Sequence, residues 1–152
     1  MSIIPKNKNA MFIVHVEDSF KGYMSEQTIP YILCEAMKHQ CDIFPLESHV
    51  DSWESCEEIQ VLKEYLPYQP IHFSYNYELD MFEEDDEDNN LIIESRGHEY
   101  TWIPPEFRNT EWLKQYEHIY VTGGARHECL DDFLVVLEYL DIDYTVLVNG
   151  TY

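Results

Sequence analysis

Residues able to do chemistry fall in three short stretches of this 152-residue chain. In "VTGGARHECLDDF" (121–133) two glycines follow a β-branched run, and Cys129 lies just inside the amphipathic segment after them. Gly123 and Gly124 let the backbone turn sharply and leave room for a ligand near the amides. A helix that begins near His127 puts Cys129 in its first turn, where the macrodipole and free N–H groups stabilise a thiolate. The N–H groups near Ala125 and Cys129 can also hold an oxyanion. This is the chemistry of a thiol nucleophile; the structural alternative is a strand-to-helix turn with a buried cysteine. His127 is two residues from Cys129 and need not face the sulfur.

The second stretch is "MFIVHVEDSF" (11–20), with His15 in an apolar run. A histidine in a strand is either a satisfied core residue or a base, because its ordinary pKa suits proton transfer near neutrality. The third is "LESHVDSW" (46–53), where Glu47 and His49 stand two apart. Such a pair can ligate zinc, but two ligands do not make a site, and a surface loop pair is the alternative. The "HFS" at His72 has no second copy, so the two-motif phosphoesterase reading is set aside.

These stretches need elements to position them. "AMFIVHV" (10–16) reads as a buried strand. "TIPYILCEAMKHQ" (28–40) reads as a helix capped by Thr28, with Ile29, Ile32, Leu33, Ala36 and Met37 on one face. "CDIFPL" (41–46) is a strand that Pro45 should end. A loop and helix follow over 47–66. Residues 69–82 and 89–103 read as two antiparallel strands joined by a mobile acidic loop at 83–90. A short helix after two prolines, a strand at 118–124, a helix at 127–140 and a last strand complete the order. Strands alternating with helices predict a single α/β domain over 1–152. Its architecture is three-layer αβα with a mainly parallel, Rossmann-like sheet and an antiparallel hairpin insertion. Ligands on such sheets bind beyond the carboxyl ends of the strands. That rule gathers His15, Glu47 and Cys129 on one rim.

Composition narrows the partners. Thirty acids against nine bases give a net charge of −21. So negative a chain repels nucleic acid and anionic membrane as direct partners. It leaves a small-molecule substrate, a metal ion or a basic protein partner. The four cysteines, at 34, 41, 56 and 129, form no CxxC pair, which speaks against a zinc knuckle. The start "MSIIPKNKNAMF" lacks the apolar core of a signal peptide, and no apolar run is long enough to span a bilayer. A cytoplasmic protein with reduced thiols is expected.

The segment "IYVTGGARHECLDDFLVVLEYLDIDYTVLV" resembles the cysteine segment of the isochorismatase-like hydrolases, which include nicotinamidases. The resemblance implies a cysteine hydrolase acting on a small amide or related carbonyl group. It implies Cys129 as nucleophile, a cis peptide at Gly124–Ala125 and a helix beginning near the cysteine. It places His15 where the family carries a catalytic Asp, followed by Asp18, Ser19 and Phe20, and puts Glu47 and His49 at a metal-binding pair of the nicotinamidases. No Lys stands in "GHEYTWIPPEF", where the family's Lys region should lie. The member implied is divergent and shortened. Its His15 serves as a base, or catalysis has been lost and the chain is a pseudoenzyme. Such proteins often form homo-oligomers, and exposed Tyr and Trp here allow that. The rival reading is a non-catalytic acidic binding or inhibitor protein. It would mimic nucleic acid and engage a basic protein partner, with the size and charge of phage-encoded inhibitors of host factors.

Overall fold

The computed structural model describes residues 3–48, 54–73, 91–97 and 100–152. Its strands are β1 (Asn9–Val14), β2 (Cys41–Glu47), β3 (Ile71–His72), β4 (Leu91–Glu94), β5 (Tyr100–Ile103), β6 (His118–Gly123) and β7 (Thr145–Thr151). Its α-helices are α1 (Thr28–His39), α2 (Glu57–Gln60), α3 (Glu111–Lys114) and α4 (Cys129–Tyr139). Short 3₁₀ turns cover Asp18–Tyr23, Val61–Glu64 and Pro105–Arg108.

Five strands form a parallel sheet in the order β3-β2-β1-β6-β7, and β4 pairs with β5 in a separate antiparallel hairpin. β1 is central because its residues are apolar on both sides of the pleat. Met11 and Ile13 face a largely aliphatic layer with Ile32, Ala36, Ile43, Ile59 and Leu62, drawn in part from α1 and α2. Ala10, Phe12 and Val14 face an aromatic layer with Phe44, Phe107, Trp112 and Phe133, drawn in part from α3 and α4. Helices on both faces of a parallel sheet make the expected three-layer fold.

Four details differ from the sequence expectation. Pro45 does not end β2; it lies opposite Ile13 within the strand. Its nitrogen is on the edge shared with Ile43 and Glu47, toward β3. There, pairing lapses between the Ile43–Tyr68 bridge and Ile71, so no ladder bond is lost. Thr28 does not cap α1 from outside: Gln27 holds that position, and Thr28 Oγ1 accepts the Ser25 amide at 3.2 Å. Met37 is 45% exposed, off the buried stripe of Thr28, Ile32 and Ala36. The hairpin lies wholly within 91–103, while the 69–82 segment supplies β3 to the parallel sheet. The acidic stretch 83–90 lies outside the described residues.

Phe133 is fully buried, with ring centroids 5.1 Å from Phe12, 5.3 Å from Phe73 and 5.7 Å from Phe107. Phe133→Ala should lower unfolding free energy by about 3–5 kcal/mol. Urea denaturation measures this, and a loss well below 1 kcal/mol would contradict the packing.

Candidate functional site

The rim at the carboxyl end of the sheet is built where β1 and β6 stop together, with Val14 opposite Gly123. The Gly124 amide donates to the Val14 carbonyl at 2.9 Å, so the two exits run side by side. A Cβ on Gly123 would lie 2.2 Å from that carbonyl oxygen, and its φ of 98° is in the left-handed region. Only glycine fits there.

His15 is the first residue beyond β1 and is 3% exposed. Its φ of 49° is also left-handed, which is uncommon for a residue with a side chain. Anchors on both sides of its main chain hold it. Its amide donates to Leu46 O at 2.9 Å, and its carbonyl accepts the Tyr152 hydroxyl at 2.6 Å. Its ring Nε2 lies against the Phe73 carbonyl. A carbonyl only accepts, so Nε2 carries the proton, and in the neutral ring Nδ1 is the basic atom.

The Gly124–Ala125 peptide is cis, at the bond the resemblance implied. The Ala125 carbonyl accepts from the Glu128 and Leu130 amides, both at 3.1 Å, and the Arg126 amide donates to Tyr152 O at 2.6 Å. The Ala125 amide has no backbone acceptor among the described residues, so it is the turn's candidate oxyanion donor. Cys129 opens α4 and is half-buried against the aromatic layer. Phe133, one helical turn on, stacks edge-on against Phe73, whose carbonyl holds His15. His127 has a φ of 66° and a 93% exposed side chain that lies 3.7 Å from Asp131, so it turns away to solvent.

Two buried carboxylates stand beside this rim. Glu17 is 1% exposed; its oxygens accept the Ser48 amide at 2.9 Å and the Ser48 hydroxyl at 3.1 Å. Burial pushes its carboxyl up to about 7, opposed by the Ser48 hydrogen bonds and reinforced by the Glu47 charge. Glu47 is 7% exposed and accepts the Ser55 amide at 2.8 Å. Glu17 and Ser55 are also bridged through the main chain. Glu17, Asp18, Ser19, Glu54, Ser55, Glu57 and Gln60 line an open cleft of about 450 Å³. Of the expected zinc pair, His49 lies outside the described residues, and Glu47 has one oxygen on Ser55. Nearby, Lys21 Nζ is 2.9 Å from both Asp18 and Glu58, which hold its pKa above the usual lysine range.

The sequence brought His15, Glu47, the Gly123–Ala125 turn and Cys129 to one edge, and the fold puts them there. It passed over Glu17, Lys21 and Tyr152. Glu17 was findable, as an acid two residues beyond His15 on a strand that exits to the rim. Tyr152 carried no local signal, because its partners are far away in sequence.

The Glu17 shift sets a pH dependence. Its folded-state pKa is raised from 4.5 to about 7, so the folded chain holds this proton more tightly than the unfolded one. The stability this provides is fully present below about pH 4.5 and is lost as pH rises through about 7. Glu17→Gln should remove that loss, on the order of 2–3 kcal/mol across the window. Urea unfolding of both chains at pH 5 and pH 8 measures the difference; parallel changes in the two would refute the assignment.

No protein-family model matches this chain, and no curated protein sequence matches it. Three solved structures are similar to it. YcaC from Pseudomonas aeruginosa with hexane-2,5-diol and covalent acrylamide is 13% identical, with a TM-score of 0.59 over 99% of this chain and 68% of that one. The MAR1 ribonuclease from Caenorhabditis elegans is 13% identical, with a TM-score of 0.52 over 99% and 67%. The YcaC gene product of Escherichia coli, described as an octameric hydrolase of unknown specificity, is 10% identical, with a TM-score of 0.52 over 99% and 68%. At these identities the likeness is one of fold. This chain has the three-layer α/β fold of the YcaC structures.

Proposed function

We propose that this chain is a cysteine hydrolase acting on a small amide or related carbonyl substrate through Cys129. The observation that carries the reading is the turn at 123–129. It sets a thiol at the start of α4, an amide at Ala125 and the buried His15 at the exits of two adjacent strands. The hydrolase fold of the two YcaC structures supports it.

The chemistry follows from the groups present. His15 Nδ1 takes the Cys129 proton, and the thiolate attacks the substrate carbonyl carbon. The oxyanion forms at the Ala125 amide. On collapse the leaving amine takes the proton from His15, which leaves a thioester. Water then attacks the thioester, gives its proton to His15, and the acid departs from the regenerated thiolate. A neutral or cationic substrate suits the acidic rim. RNA, the substrate class suggested by the ribonuclease neighbour, is opposed by a net charge of −21.

That charge also supports a second reading, a binding protein for a basic partner. Ionic strength separates the two. A charge-driven complex dissociates as salt rises, whereas turnover of a small neutral substrate changes little. The octameric state given for the Escherichia coli protein makes self-assembly part of the hydrolase reading, and light scattering tests it.

Iodoacetamide alkylation against pH, read cysteine by cysteine, tests the nucleophile. Cys41 and Cys56 are buried, and burial pushes the Cys41 thiol up to about 12 and raises Cys56, so both should be inert. Exposed Cys34 serves as the accessible reference thiol. Cys129 should react fastest near neutrality, and His15→Ala should move its profile toward that of Cys34. A Cys129 no faster than Cys34 in the unaltered chain would sink the hydrolase reading.

A further inference from the structure

We propose that Tyr152 is a positioning residue of the Cys129 rim, fixing the His15 main chain and the Gly124–Ala125 turn in one geometry. The inference rests on the hydrolase reading and extends it to a residue that touches neither thiol nor substrate in the steps above.

Four contacts place Tyr152 between the two exits. Its hydroxyl donates to the His15 carbonyl at 2.6 Å. Its ring lies on Gly124, where an added Cβ would be 2.6 Å from ring carbons Cε2 and Cζ. Its amide donates to Gly123 O at 3.1 Å, and its carbonyl accepts the Arg126 amide at 2.6 Å. The residue is 8% exposed, so these bonds form away from bulk water. Burial, then the charges of Glu17 and Cys129, raise its pKa, so the hydroxyl stays protonated and remains a donor.

The hydroxyl matters because of what it holds. His15 sits in a left-handed conformation that is uncommon for a residue with a side chain, and two main-chain anchors hold it there. The Leu46 carbonyl fixes the amide side of His15, and the Tyr152 hydroxyl fixes the carbonyl side. Without the hydroxyl, one of the two main-chain anchors is gone and the imidazole can leave the Phe73 carbonyl. The same ring backs the turn that presents the Ala125 amide. One side chain therefore sets the relation between base and oxyanion donor, and such geometry is sensitive to ångström-scale shifts.

The test compares the unaltered chain, Tyr152→Phe, and chains carrying fluorotyrosines at position 152. The fluorotyrosines keep the ring and grade the donor strength of the hydroxyl. Two properties are read: the Cys129 alkylation rate by iodoacetamide against pH, and the nitrogen NMR shifts of the His15 ring, which report its tautomer. Tyr152→Phe should slow alkylation roughly tenfold, convert His15 from a single Nε2–H tautomer to a mixture, and leave the circular dichroism spectrum unchanged. A folded Tyr152→Phe chain with both readouts unchanged overturns the inference. Where that variant does not fold, a flat response across the fluorotyrosine series overturns it. A Cys129 that alkylates like Cys34 in the unaltered chain removes the hydrolase reading instead, and the His15 shifts then decide the role of Tyr152 on their own.

Discussion

Strand β1 is hydrogen-bonded along both edges and covered on both faces, and the rest of the rim follows from that confinement. In parallel register its last residue, Val14, lies opposite Leu46 on one side and Gly123 on the other. Neither neighbouring exit leaves room to continue straight. Beyond β1 the chain turns through a left-handed residue, and beyond β6 it turns through a glycine with no space for a Cβ. Both departures carry their side chains over the same edge. The convergence of His15 with the Cys129 turn is thus a consequence of strand pairing, and the tyrosine at 152 closes it from the β7 side.

The two ends of the sheet treat buried acid differently. At the amino end, Asp42 is 3% exposed and accepts the Lys6 and Asn7 amides, the Asn7 side chain and the Tyr116 hydroxyl. Four donors around one carboxylate compensate its desolvation and tie the segment before β1 to the sheet. At the carboxyl end, Ser48 supplies the donors to Glu17 among the described residues, and a second carboxylate stands beside it. Burial there outweighs the Ser48 hydrogen bonds, and the proton affinity rises.

The layer order was legible because it depends on periodicities. Apolar residues on both sides of β1, a helical stripe over 28–40 and another over 127–140 predict a covered parallel sheet without knowledge of any contact. The turn at 123–129 was legible because glycine spacing and the cysteine position are local. What escaped was set by distance in sequence. Pro45 lies within β2 because of a gap in pairing with β3, and the tautomer of His15 is set by a carbonyl at Phe73. Met37 fits the helical stripe on paper and is exposed because the stripe is narrower than its pattern. Tyr152 meets His15 from the far end of the chain.

Gly97, between the hairpin strands, packs against the N-terminus of α4. A Cβ there would fall 2.4 Å from the Glu128 Cα, and its amide donates to Asp132 at 2.9 Å. The loop of the hairpin is therefore seated against the first turn of α4, beside the residue that precedes Cys129. Any side chain at position 97 must lift the hairpin or displace that turn. In a map of tolerated substitutions this position should stand out although it bears no reactive group. It would mark where two elements are keyed together rather than where a bond is broken.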